Sequence, residues 1–170
     1  MRLSGANHYE LAFENWLRDR GVQCSEIDES KRAVFEGSKI KSFDFFVYSS
    51  TRKILVAEVK GKKFKGKSFE NLTGLECWVN KSDIEGLCKW QKILGQEYEG
   101  VFVFAYMAEN VDVDFDGRDV YRYNGNKYLF FGIGLEDYLR YMKVRSPKWQ
   151  TLTLPADKFR ASAREMKYWV

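Results

Sequence analysis

Two neighbouring stretches decide how this chain folds: Phe43-Asp44-Phe45-Phe46-Val47-Tyr48 and Ile54-Leu55-Val56-Ala57-Glu58-Val59-Lys60. Both are rich in aromatic and β-branched residues, and Ser49, Ser50, Thr51 and Arg52 between them supply a turn, so they predict a β-hairpin. Neither alternates apolar with polar side chains, which is the pattern of strands covered on both faces. Into that interior the sequence places Asp44, Glu58 and Lys60. An unpaired charge in such a place is costly or titrates until it is neutral. A divalent cation held by two carboxylates offsets the cost, so a metal site is the leading reading. The competing reading is a buried salt bridge between Lys60 and one carboxylate, which leaves the second carboxylate uncompensated.

Register sets a condition on the metal reading. Glu58 and Lys60 are two apart in one strand and share a face. A loop of residues 49–52 would pair Tyr48 with Lys53 and turn Glu58 away from Asp44. The two carboxylates meet only if the connection is odd in length, carries a bulge, or twists strongly near the site.

Composition narrows the chemistry. At 170 residues, 45% apolar and 16% aromatic, the chain predicts one domain over residues 1–170 with a substantial core. No apolar run is long enough to span a membrane, and the start lacks a signal-peptide pattern, so the expected location is cytoplasmic. Cys24, Cys77 and Cys88 form no CxxC pair and read as free buried thiols. His8 is the single histidine, which argues against zinc and against Ser-His or Cys-His catalysis. The net charge of +4 is uneven, because Lys60-Gly61-Lys62-Lys63-Phe64-Lys65-Gly66-Lys67 concentrates lysines directly after the second strand. Read as a loop whose glycines let the backbone approach a ligand, this run suits a polyanion. The plainer alternative is a solvated strand end.

The remaining elements follow from periodicity. Tyr9, Ala12, Phe13, Trp16 and Leu17 form an apolar helix stripe over residues 7–20, stopped by Gly21. A strand over 22–28 precedes the hairpin, and 64–79 reads as a long loop. Ser82-Asp83-Ile84-Glu85 reads as a capping box opening a helix through Leu94. Val101-Phe102-Val103-Phe104-Ala105-Tyr106 is a buried strand. Beyond it come a hairpin, 120–123 with 128–132, turning at Asn124-Gly125-Asn126, a helix over 135–142, a strand over 151–154, and a closing helix with Pro155 at its first position.

Several side chains carry two readings. Glu10 lies on the edge of the first helix's apolar stripe, where it can lean toward Asp44 and Glu58, but Asn7 and Glu10 also fit a capping box. Gln91 falls on the apolar face of Ile84, Leu87, Cys88 and Leu94, where its amide must bond a neighbouring backbone or reach an active site. His8 reads as surface or as a phosphate contact. Gly61-Lys62-Lys63-Phe64-Lys65-Gly66-Lys67-Ser68 matches a P-loop, yet the continuation Phe69-Glu70-Asn71-Leu72 is a poor helix start. Asp112-Val113-Asp114-Phe115-Asp116-Gly117 opens like a calcium loop, but its twelfth position is Tyr123 where a glutamate is needed.

With Asp44 on one strand, Glu58-Val59-Lys60 on the next and Glu10 on the preceding helix, the chain resembles the PD-(D/E)XK nuclease superfamily over roughly residues 5–106. Gly5-Ala6, Glu10 and Gly21 look like the opening of archaeal Holliday-junction resolvases, and Gln91 falls where several members carry a helical glutamine. Phe43 stands where the proline of the motif would be. The resemblance implies an α/β, restriction-endonuclease-like core of helix, three strands, helix and strand, with a mixed central sheet flanked by helices. A C-terminal hairpin and helical extension over about 107–170 would elaborate it.

It further implies a Mg²⁺-dependent DNA endonuclease in which Mn²⁺ substitutes. Asp44, Glu58 and the Val59 carbonyl would hold the metal, with Glu10 as an optional further ligand. Glu10, Asp44, Glu58, Lys60 and Gln91 would form the catalytic set. Lys62, Lys63, Lys65 and Lys67, with His8 as a further candidate, would grip the DNA backbone, and a homodimer is an admissible arrangement. The alternatives are a catalytically idle nucleic-acid-binding module of the same fold, or a P-loop nucleotide binder using residues 61–68.

Overall fold

The structure is a computed structural model that describes residues 7–28, 34–35, 38–50 and 53–170. Gly5 and Ala6, and Thr51 and Arg52 of the hairpin connection, lie outside the described residues. The chain opens with α1 (His8–Asp19), β1 (Gln23–Glu26), β2 (Val34–Phe35), β3 (Ser38–Lys39), β4 (Phe45–Tyr48) and β5 (Ile54–Phe64). Then follow β6 (Val79–Asn80), α2 (Lys81–Leu94), β7 (Tyr98–Ala108), β8 (Tyr121–Tyr123), β9 (Asn126–Gly134) and α3 (Leu135–Tyr141). The end comprises β10 (Lys143–Ser146), β11 (Thr151–Thr153), α4 (Ala156–Ser162), β12 (Arg164–Glu165) and a 3-10 turn (Met166–Tyr168).

The main sheet runs β1-β4-β5-β7-β9-β12, with β8 also paired to β9. β5 and β7 are parallel and joined by a crossover through α2, while the other pairs are antiparallel, so the sheet is mixed as expected. Its lack of alternation has the predicted cause, a layer on each face. On one side, Ala12, Phe13, Trp16 and Leu17 of α1 cover Phe45, Val47, Leu55, Ala57 and Val59. On the other, Ile84 and Leu87 of α2, Tyr138 of α3 and Phe159 of α4 cover Val56, Phe102, Phe104 and Phe131. Truncating a fully buried aromatic such as Phe13 in such a core costs about 3–5 kcal/mol. Among the described residues no helix is long and apolar enough to cross a membrane.

Several sequence expectations change. First, β5 continues through Gly61, Lys62, Lys63 and Phe64, so the lysine run begins as strand, not loop. Gly61 is small because the Tyr9 ring lies on it: a Cβ there would sit 2.1 Å from Tyr9 Cδ2. Second, no helix begins at Lys67-Ser68, which removes the P-loop reading. Third, α2 starts two residues earlier than the Ser82 box implies, with Asn80 as N-cap and Asp83 at its third position. Fourth, the C-terminal part is not peripheral, since β9 pairs with β7 from Val101↔Gly134 to Met107↔Tyr128. The β8–β9 turn is the expected Asn124-Gly125 pair, both at positive φ (46° and 78°). Pro155 stands one place outside its helix, as N-cap. All three cysteines are free, but only Cys77 is fully buried.

Candidate active site

Register decides whether the two carboxylates of the hairpin meet. β4 and β5 pair Phe45 with Ala57, Phe46 with Val56 and Val47 with Leu55, leaving residues 49–53 as the connection. That odd connection puts position 44 opposite position 58, on the face that also carries Phe46 and Val56. The regular ladder ends there. The Asp44 N–H donates to the Ala57 carbonyl at 3.0 Å, and Asp44 Oδ2 accepts the Val59 N–H at 2.6 Å. A carboxylate therefore takes the place of a ladder carbonyl beside Glu58. Asp44 is 4% and Glu58 7% exposed.

Lys60, two residues along the same face, places its Nζ 3.1 Å from Glu58 Oε1 and 2.8 Å from Asp83 Oδ2. Asp83 comes from the first turn of α2, where Oδ2 also accepts the Asn80 N–H at 2.9 Å. Its Oδ1 accepts from Lys41 Nζ, which lies 4.0 Å from Glu58 Oε1. Lys41 is fixed by α2 as well: its carbonyl accepts the Trp90 Nε1–H at 2.9 Å, and the helix approaches its backbone at Gly86. Two carboxyl groups, Glu58 and Asp83, and two ammonium groups, Lys41 and Lys60, thus meet where the sheet passes beneath the start of α2, with Asp44 opposite Glu58 on the same face.

The protonation equilibria follow from this packing. Burial pushes the Glu58 carboxyl up, and Lys60 only partly counters it. Burial alone would lower Lys60, but Glu58 and Asp83 outweigh it and hold the ammonium above its ordinary range. Burial likewise opposes charge on Asp83, and there Lys60 and Lys41 win, holding that carboxyl low. Burial therefore disfavours the Glu58 anion even beside Lys60 and Lys41. The hard oxygen donors of Asp44 and Glu58 match a divalent cation in kind. Among the described residues no three His, Cys, Asp or Glu side chains are grouped to hold an ion by themselves. Mg²⁺ keeps several waters and usually binds through one or two carboxylates, and two carboxylates match that number.

The other expected site residues are dispersed. α1 covers the opposite face of the sheet from Lys60, and Glu10 receives the Asn7 N–H at 3.2 Å and the Asn7 side-chain amide at 2.8 Å, so the capping box forms. His8 Nδ1 lies 2.9 Å from the Tyr128 hydroxyl, and its ring packs on Tyr9. The Gln91 amide donates to the carbonyls of Gly95 and Tyr98 and accepts the Gly100 N–H at 2.6 Å, clasping the end of α2 to the start of β7. Its polar capacity goes to backbone, which corrects the expectation of a catalytic glutamine.

The lysine run also divides. Lys62 is buried, with Nζ 3.3 Å from the Trp78 ring centre, and burial pushes its pKa down to about 8. That corrects its expected place in an exposed DNA grip. Lys63, Lys65 and Lys67 are exposed, and Lys63 lies 3.5 Å from Glu109.

Sequence reasoning missed Asp83 and Lys41. Asp83 carried a signal: it is four residues before Leu87 and eight before Gln91, on the helix's buried stripe. Placing the cap at Ser82 made it a first-turn surface acid instead. Lys41 carried no periodic signal.

In sequence, no known family profile and no curated protein matches this chain. In structure, it is similar to Hjc, a Holliday junction resolvase from the archaeal hyperthermophile Archaeoglobus fulgidus, at 12% identity with a TM-score of 0.54. The similarity covers 96% of this chain and 98% of that one, so the two share a mixed-sheet, helix-flanked fold over nearly their whole lengths.

Proposed function

We propose that this protein is a metal-dependent phosphodiesterase acting on DNA, with its site at Asp44, Glu58 and Lys60. The observation that carries the reading is the convergence of two buried carboxylates and a half-buried lysine on one face at the end of the β4–β5 ladder. The shared fold with a Holliday junction resolvase supports DNA as the substrate class. Asp44, Glu58 and the Val59 carbonyl would hold Mg²⁺, with Mn²⁺ able to substitute. Such an ion supplies polarisation of the phosphoryl oxygen and a lowered water pKa.

Lys60 has a role that its surroundings define. Glu58 and Asp83 keep it protonated, so it donates hydrogen bonds and positive charge to the phosphorane oxygens and does not serve as the base. Asp83 is a positioning residue that fixes Lys60 and Lys41 in reach of the scissile phosphate. Lys63, Lys65 and Lys67 contribute a sequence-independent hold on the backbone. The test is incubation with labelled duplex, flap, four-way junction and single-stranded DNA, with Mn²⁺ and with EDTA. Metal-dependent cleavage of one or more substrates supports the reading. Salt-dependent binding without cleavage would identify a catalytically idle binding module of the same fold.

A further inference from the structure

The segment from Tyr138 to Ala156 contains Arg140, Lys143, Arg145 and Lys148 and no aspartate or glutamate. It holds the β10–β11 hairpin, whose tip presents Trp149 at 69% exposure. The tip has a defined shape. The Trp149 N–H donates to Ser146 Oγ at 3.2 Å, the Gln150 N–H to the Pro147 carbonyl at 3.3 Å, and Gln150 takes a left-handed φ of 50°. A bulge between Val144 and Ser146 adds twist below it.

The hairpin is attached to the site. β11 pairs with β6 as Thr151↔Asn80 and Leu152↔Val79, and the Gln150 carbonyl accepts the Lys81 N–H at 2.8 Å. Lys81 opens α2, and Asp83, two residues on, holds Lys60. A second connection runs through the hairpin's root. Arg145 Cζ lies 4.9 Å from the Trp78 ring centre and Lys62 Nζ 3.3 Å from it, while Lys62 follows Lys60 on the same face of β5. At the root, Arg145 and the buried Lys62 both lie against the Trp78 ring, whose Nε1–H donates to Glu76 at 3.1 Å, and at the tip Lys148 Nζ lies 5.3 Å from the Trp149 ring centre. Aromatic faces interleaved with cations are what binds unpaired nucleic acid, whose bases stack on rings while lysine and arginine follow the phosphates.

We propose that this hairpin is a finger that engages unpaired DNA: Trp149 stacks on a base released from its duplex, and Arg145 and Lys148 hold the adjoining phosphates beside Lys60. The inference rests on the phosphodiesterase reading and adds the substrate class, DNA with an unpaired segment. Charge complementarity selects this occupant, since a hairpin with basic and no acidic side chains attracts a polyanion.

The test is fluorescence anisotropy of full-length wild-type, Trp149→Ala and Trp149→Phe proteins in EDTA. The probes are labelled single-stranded DNA, a flapped duplex and a blunt duplex. Trp149→Ala should weaken binding to single-stranded and flapped DNA about tenfold, with blunt duplex changing less than about twofold and Phe retaining most of the affinity. Equal loss on all three probes, or none, overturns the inference. So does a change in oligomeric state on sedimentation of Trp149→Ala, which would make the tip a contact between copies of the chain. Cleavage with Mn²⁺ is scored separately. Cleavage without discrimination by Trp149 removes the finger alone, and discrimination without cleavage removes the phosphodiesterase reading alone.

Discussion

Asp83 and Lys60 join helix to sheet at 2.8 Å, and this contact couples the start of α2 to the Glu58 carboxylate. Replacing Asp83 by Asn leaves Lys41 and Lys60 facing each other with Glu58 as their shared counter-ion. Removing one partner of a buried ion pair costs about 3–5 kcal/mol, and a loss near the lower end is expected by urea unfolding, because Lys41 is partly exposed. The sign with pH is distinct. Asp83 is held below its ordinary range, so its contribution is present at neutral pH and is lost as pH falls through the folded value. Glu58 is raised and works the other way, its ionisation costing stability as pH rises through its folded value. The difference between wild type and Asp83→Asn should therefore shrink on acidification. In the pH–rate profile the alkaline limb should move to lower pH, because one of the two carboxylates that keep Lys60 protonated is gone. An unmoved limb would limit Asp83 to a structural role.

Lys62 is buried against Trp78 with its pKa lowered to about 8, whereas the unfolded chain titrates near 10.5. Between those values the unfolded chain binds the extra proton, so this group makes stability rise with pH. Lys62→Met should stabilise the protein at pH 7, and the advantage should diminish from pH 8 to pH 10. Thermal unfolding of both proteins across that window measures it. An advantage that does not vary with pH would mean that Lys62 is charged without penalty in the fold.

Lys63, Lys65 and Lys67 are the exposed members of the lysine run. Changing the three to Gln should weaken DNA binding across sequences and make the slope of log K against log salt shallower, by about 0.9 for each phosphate that is no longer neutralised. Lys62→Met should leave that slope unaltered. An unchanged slope in the triple variant would place the DNA backbone on another surface.

The hairpin was legible because its strands break the alternation rule, and the structure supplies the layers on both faces that the break required. The register condition was legible too, since the metal reading required an odd connection, a bulge or a strong twist, and the pairing leaves five residues, 49–53. The continuation of β5 was not. Gly61-Lys62-Lys63 has the composition of a solvated loop, and what makes it strand is its pairing with Ala105-Tyr106-Met107 of β7, with the Tyr9 ring over Gly61 and the Trp78 ring over Lys62, all tertiary contacts. Glu10 and Gln91 were each given two readings. The structure realises the capping box for the first and the backbone clasp for the second. Asp83 was lost to a cap placed two residues late, and Lys41, in an irregular segment, reaches the site only through packing against Gly86 and Trp90.

The central claim is that Asp44, Glu58 and Lys60 hydrolyse DNA with a divalent metal, and single-turnover cleavage with protein in excess over labelled DNA in Mn²⁺ tests it most directly. Wild type, Asp44→Asn and Glu58→Gln are compared on the substrate that wild type cuts best, with circular dichroism confirming that each is folded. The account predicts that each substitution lowers the cleavage rate by more than the roughly 10–100-fold that loss of an outer-shell partner of a metal site costs. It also predicts that each removes the rise in Tm that Mn²⁺ gives wild type. Cleavage by either variant at the wild-type rate in saturating Mn²⁺ would contradict it.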